Sequence, residues 1–183
     1  PTEKTEIETE IAISNHDKNL FSNLDDANNQ GIATKLNLKQ QLFSKGIQVQ
    51  SFATINYIQE NFKPIERLYN IEFNRDWNLT NLGGNQTLLV GGIQFNSVQK
   101  DTVKWKTFGK YQFEKLEYST NFSGYKHAFQ TFTKNKNLAL QTQISLMDSK
   151  NNSSTSNFLR SQNVAKYHFK KNYVGANFRY ENN

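Results

Sequence analysis

The chain has 183 residues, of which only 36% are hydrophobic, yet 13% are aromatic, with 14 Phe, 8 Tyr and 2 Trp. It contains no cysteine, which excludes disulfides, thiol catalysis and Cys-ligated zinc, and no apolar run approaches the roughly 18 residues of a membrane helix. The 22 Lys+Arg exceed the 16 Asp+Glu by six, but the cations are dispersed: Lys104, Lys106 and Lys110 alternate with Trp105, Phe108 and Tyr111. A dispersed pattern does not make the clustered groove that a nucleic-acid partner requires. A mean hydropathy of −0.78 combined with this aromatic content argues against disorder, which is polar but poor in rings, and suits sheets with one dry face.

Along the chain, apolar and polar residues alternate with a period of two, the signature of half-buried strands. Ile7, Thr9, Ile11 and Ile13 oppose Glu6, Glu8 and Glu10; Ile32, Thr34, Leu36, Leu38 and Leu42 oppose Lys35, Asn37, Lys39 and Gln41. A third stretch sets Ile47, Val49, Ala53, Ile55 and Tyr57 against Gln48, Gln50, Thr54 and Asn56. Tyr69, Ile71, Phe73 and Trp77 against Asn70, Glu72, Asn74 and Asp76 read as a fourth strand, and Leu89, Gly91, Ile93 and Phe95 as a fifth. Val103–Phe113, Tyr125–Thr131, Leu138–Leu146, Ala165–Phe169 and Val174–Tyr180 continue the alternation. The expected fold is all-β: an antiparallel up-and-down meander of about ten long strands, residues 1–183 forming a single segment of a transmembrane β-barrel wall.

Two further features carry that expectation. Connections read as alternately short (Ser44–Gly46, Gln99–Asp101, Lys134–Asn137, Lys171–Asn172) and long (Asn15–Gln30, Asn61–Arg67, Asn78–Asn85, Asn121–Gly124, Asp148–Asn157), the layout of turns on one membrane side and loops on the other. The apolar face is diluted with Thr, Gly and Ala, while rings gather near strand ends; Trp77, Trp105, Tyr57, Phe95, Tyr111 and Tyr180 are the candidate membrane-interface aromatics. Leu36, Leu38, Ile55, Leu89, Ile93, Tyr111, Leu140 and Ile144 are expected on one face, and Lys35, Lys39, Gln94, Lys110 and Gln143 on the other.

No catalytic constellation, cofactor motif or metal site emerges. His16, His127 and His168 have no second ligand at metal spacing on the same face. Asn15–Asn19 with Asp25 and Asp26 offers oxygens but lacks the Gly and closing Glu of a calcium loop. The serines have no His/Asp frame and no nucleophile elbow.

Several stretches resemble large outer-membrane β-barrel proteins of the Bacteroidota: Asn15-His16-Asp17-Lys18-Asn19-Leu20-Phe21-Ser22-Asn23-Leu24-Asp25-Asp26, Asn61-Phe62-Lys63-Pro64-Ile65-Glu66-Arg67, Ile71-Glu72-Phe73, Arg75-Asp76-Trp77-Asn78-Leu79 and Ser156-Asn157-Phe158-Leu159-Arg160-Ser161. The resemblance implies a place in the outer membrane of a Gram-negative cell and a role in passage, assembly or surface display. The expected partners are the lipid bilayer and further strands of the same protein or partner outer-membrane proteins. Such proteins run much longer, and neither a leader before Pro1 nor a closing aromatic after Tyr180 is present, so an internal stretch is expected, with its first and last strands not paired to each other. The alternative is a soluble antiparallel sheet or sandwich that binds a carbohydrate or protein ligand, with Trp77 and Trp105 as platforms.

Overall fold

A computed structural model describes residues 4–17, 29–79, 83–97 and 104–182. Nine strands form one sheet, each paired antiparallel to its sequence neighbour: β1 (Thr5–Asn15), β2 (Gln30–Phe43), β3 (Ile47–Ile58), β4 (Gln86–Ser97), β5 (Lys106–Tyr118), β6 (Phe122–Lys134), β7 (Leu138–Lys150), β8 (Thr155–Phe169) and β9 (Asn172–Asn182). They run from 11 to 15 residues, well beyond the usual five or six. The all-β, up-and-down meander is therefore what the molecule adopts. β1 pairs only with β2 and β9 only with β8, so among the described residues the sheet is open at both ends.

Among the described residues there are nine strands, and the expected fourth, Tyr69–Trp77, is not one of them. Tyr69–Trp77 instead carries a single helical turn, α1 (Phe73–Asp76). Tyr69, Phe73 and Trp77 fall four apart, and Tyr69 stacks on Phe73 with centroids 4.0 Å apart. Ile71, which the strand reading placed beside them, is 79% exposed. α1 stops where Asn78 takes a left-handed φ of 51° and the Leu79 amide reaches back to the Asn74 carbonyl at 2.8 Å, the geometry of a helix C-terminal cap.

The expected alternation of turns and loops holds only for the first half of the sheet. At one end, β2–β3, β6–β7 and β8–β9 are joined tightly. At the other, β1–β2 and β3–β4 are joined by long segments, but β5–β6 turns through residues 119–121, with Asn121 at φ 69°. Most of the proposed calcium stretch, Asp25 and Asp26 included, lies outside the described residues.

Residues directly opposite in an antiparallel ladder share a face, and neighbours along a strand alternate. Register then places Leu36, Leu38, Ile55, Leu89, Ile93, Tyr111, Leu140 and Ile144 together, and Lys35, Lys39, Gln94, Lys110 and Gln143 on the opposite side.

Candidate functional site: an apolar band and a half-covered polar face

The apolar face is uncovered. Ile7, Ile11, Ile13, Leu36, Leu38, Ile55, Leu89, Ile93, Tyr111, Leu140, Ile144 and Phe178 are each between 37% and 72% exposed. The residues beyond this band on the same face are charged or polar: Lys115 with Glu117 (2.8 Å) on β5, and Asp148 and Lys150 on β7.

The band does not follow the hydrogen-bonded rows; it crosses them. Ile13 is its loop-side limit on β1 and Tyr180 its limit on β9. The row of Tyr180 runs through Ser161, Ile144, Phe129, Tyr111, Ile93, Ser51 and Gln40 to Thr5, eight residues from Ile13 (13 − 5). The turn-side limits behave alike. Ile7 on β1 leads through Leu38, Ala53, Gly91, Phe113, His127, Leu146 and Leu159 to Asn182, eight residues from Val174 (182 − 174). Eight residues over eight strand-to-strand steps is an average drift of one residue per strand. With about 3.3 Å per residue and about 4.8 Å between strands, strands tilt by roughly 35° against the band.

Of the six candidate interface aromatics, four lie toward the limits of this band. Tyr57 and Tyr180 lie toward its loop side on their strands, whereas Tyr111 lies within the band, all three exposed. Phe95 and Trp105 lie toward its turn side, Phe95 resting against Gly109, where a side chain would collide with the ring. Trp77 departs from the expectation. It is 1% exposed and buried on the opposite, polar face.

That polar face carries the chain's buried cluster. Residues 59–79 of the connection between β3 and β4, the segment 59–85, turn back across it. The segment's backbone at Asn61 and Phe62 passes so close to Gly31 of β2 that any Cβ there would strike it, and the Lys63 amide donates to Ser14 Oγ of β1 at 2.9 Å. It then crosses to seat Trp77 among Leu88, Leu116, Phe122 and Met147, with Tyr69, Phe73 and Leu79 packed alongside. Gly124 provides the room, since a Cβ would lie 2.9 Å from the indole, and Lys126 Nζ stands 5.8 Å from the ring centroid. Gln86 bridges segment and sheet, donating to Tyr69 Oη at 2.9 Å and accepting from Tyr118 Oη at 3.0 Å. Burial, then the nearby Tyr118, push the Tyr69 phenol up to about 12 against the opposing Gln86 bond. On return, Asn85 exchanges backbone and side-chain bonds with Ser119 and Glu60.

Away from the segment the polar face is wet and internally paired. Glu10–Lys35 and Glu6–Lys39 bridge β1 and β2 at 3.0 Å, and Glu8 accepts from Asn37 at 2.9 Å. These cross-strand partners balance the three aligned glutamates. Two cavities flank the segment: one of about 670 Å³ between it and β1–β3, lined by Glu10, Lys35, Asn56, Phe62 and Tyr69, and one of about 300 Å³ on β5–β8, bounded by Asp76. Among the described residues, no group of three or more His, Cys, Asp or Glu side chains is placed to hold a metal ion, and no helix is long and apolar enough to cross a membrane.

No protein family, curated protein or solved structure matches the chain.

Proposed function

We propose that this sheet is part of the wall of an outer-membrane β-barrel of a Gram-negative cell, serving passage of polar solutes rather than catalysis. The observation that carries the reading is the diagonal apolar band. A tilt of roughly 35° agrees with the 35–45° of transmembrane barrel strands. After that tilt the band is roughly 16–19 Å tall on β1 and β9 and about 22–25 Å on β7, from Leu138 to Leu146, against the apolar height of about 25 Å such barrels present to lipid.

In this reading the exposed band faces lipid, the rings toward its two limits sit near the headgroups, and the charged pairs beyond it meet water. The polar face lines the interior, so segment 59–85 lies inside the barrel. The unpaired edges of β1 and β9 would each leave a row of backbone groups in lipid at several kcal/mol per group; further strands of the same protein or of a partner cover them.

Extraction tests the reading. The full chain is expected to co-sediment with membranes through high salt and carbonate, to require detergent for release, and to fold into lipid vesicles with an antiparallel β spectrum. Recovery as a folded species in detergent-free buffer would overturn it in favour of a soluble binding sheet.

A further inference from the structure

The cleft of about 300 Å³ between Asp76 and strands β5–β8 has an unusual balance of charge and free amides. Its charged groups already have partners. Asp76 has Arg75 at 3.8 Å, Glu114 has Lys126 at 3.8 Å and accepts from Gln112 at 2.7 Å, and Arg160 donates to Glu181 at 3.3 Å. The two lining carboxylates and two lining cations cancel. The lining itself therefore offers a charged solute no net charge in return for its hydration, and the nearest further cations, Lys110 and Arg179, stand beyond the two ends of the glutamine row that completes the lining.

Three glutamines complete the lining: Gln130, Gln143 and Gln162. They stand directly opposite one another on β6, β7 and β8. The same row runs on through Lys110 to Gln94 and Gln50, the last two joined at 2.7 Å. Each carboxamide presents two donors and an acceptor that can serve a hydroxyl from either side. Among the described residues Gln130, Gln143 and Gln162 make no side-chain hydrogen bond, unlike Gln94 and Gln50. Arg160 lies over the Phe158 ring at 5.0 Å, which fixes one wall of the cleft with a flat, satisfied cation.

We infer that the cleft beside α1 is a selectivity site for uncharged, hydroxyl-rich solutes such as short oligosaccharides, held by the Gln130–Gln143–Gln162 row. The inference rests on the barrel reading for the direction of solute flow, but the site itself does not. Segment 59–85, anchored by Trp77, narrows the interior and brings Asp76 over the row, so passing solute is confined against the amides.

The test is ion current through the closed barrel, this chain together with the strands that cover its two edges, in planar bilayers, with maltotriose and the equally long, charged trigalacturonate as probes. Maltotriose is expected to interrupt the current at a concentration at least tenfold lower than trigalacturonate. In the triple variant Gln130→Ala, Gln143→Ala, Gln162→Ala that preference is expected to vanish, with the open-channel current retained. Equal block by both probes, or a preference unchanged in the triple variant, would overturn the site. If the triple variant does not insert, the single variant Gln143→Glu decides, since an added uncompensated charge must weaken maltotriose block several-fold if the row binds it. If the closed barrel with unaltered residues does not insert, the barrel reading fails separately. Calorimetric titration of the folded chain with maltotriose, against the same variants, then still tests the cleft, and absence of heat overturns it.

Discussion

On one face of the sheet Ile11, Ile13, Leu36, Ile93 and Phe178 stand exposed in a continuous band. On the other, where Glu, Lys and Gln prevail, Trp77 and Leu116 are excluded from solvent almost completely. A soluble sheet packs its apolar face and leaves the polar one wet. Here the richer apolar face is bare, and the one covered patch lies on the polar side. Coverage, not hydrophobic count, therefore tells the faces apart. Contiguous exposed apolar patches mark interaction surfaces, and the proposed membrane reading rests on this band.

The largest expected effect lies at the covered patch. Trp77→Ala removes the side chain that seats segment 59–85, and large buried aromatics cost about 3–5 kcal/mol on truncation. Chemical unfolding in detergent should show that loss, and trypsin should cut after Arg67 while the strand spectrum is retained. Trp105→Ala, on the exposed side, should cost less than about 1 kcal/mol. Comparable losses would erase the contrast between the faces.

A charge placed in the bare band comes next. Ile55→Arg should cost about 2–4 kcal/mol for folding into vesicles, as a basic side chain does at the bilayer midplane. Gln48→Arg, exposed on the polar face of the same strand, should stay within about 0.5 kcal/mol. Folding titrations into vesicles measure both. Equal small effects would mean that the band meets water.

Glycines sharpen the same comparison on a smaller scale. Gly31→Ala pushes a methyl into the Phe62 backbone, and overpacking of this kind costs about 1–3 kcal/mol. Gly91→Ala, on the bare face, meets only the Phe52 carbonyl at an ordinary 3.9 Å, so its unfolding midpoint should barely move.

The strands were legible because the period of two repeats with little ambiguity where β-branched and aromatic residues alternate with Lys, Gln and Asn, as from Ile47 to Tyr57. The segment at Tyr69–Trp77 was misread because residues four apart satisfy both periods: Tyr69, Phe73 and Trp77 fit a strand face or a helical one. Arg75 was the available signal, since a strand would have placed it among those rings. The burial of Trp77 could not be read from its own neighbourhood. It depends on Leu88, Leu116, Phe122 and Met147, which come from four strands and meet only through register. Each sits in a stretch whose alternation is locally weak, because the polar face turns apolar only there. The drift of the band was equally hidden, since it is a property of the ladders and not of any one strand.

The smallest expected effect concerns how the segment is tied to the sheet. Tyr69 is raised from its ordinary 10.0 to about 12, chiefly by burial, so the folded protein holds this proton more tightly than the unfolded chain does. The stability linked to it is then fully present below pH 10 and is lost as pH rises from about 10 to about 12, as linkage requires. Ionised Tyr69 would face the Tyr118 hydroxyl across Gln86, and the segment should loosen before the sheet does. Trp77 emission, blue-shifted while buried, should move to the red across that window with the strand spectrum unchanged. Tyr69→Phe removes the titrating group and one hydrogen bond to Gln86, a loss of about 0.5–1.5 kcal/mol at neutral pH. It should keep Trp77 buried at pH 7 and abolish the part of the red shift that falls between pH 10 and 12. A red shift of the same size in that variant would assign the transition to Tyr118, whose phenol burial also raises, and not to Tyr69.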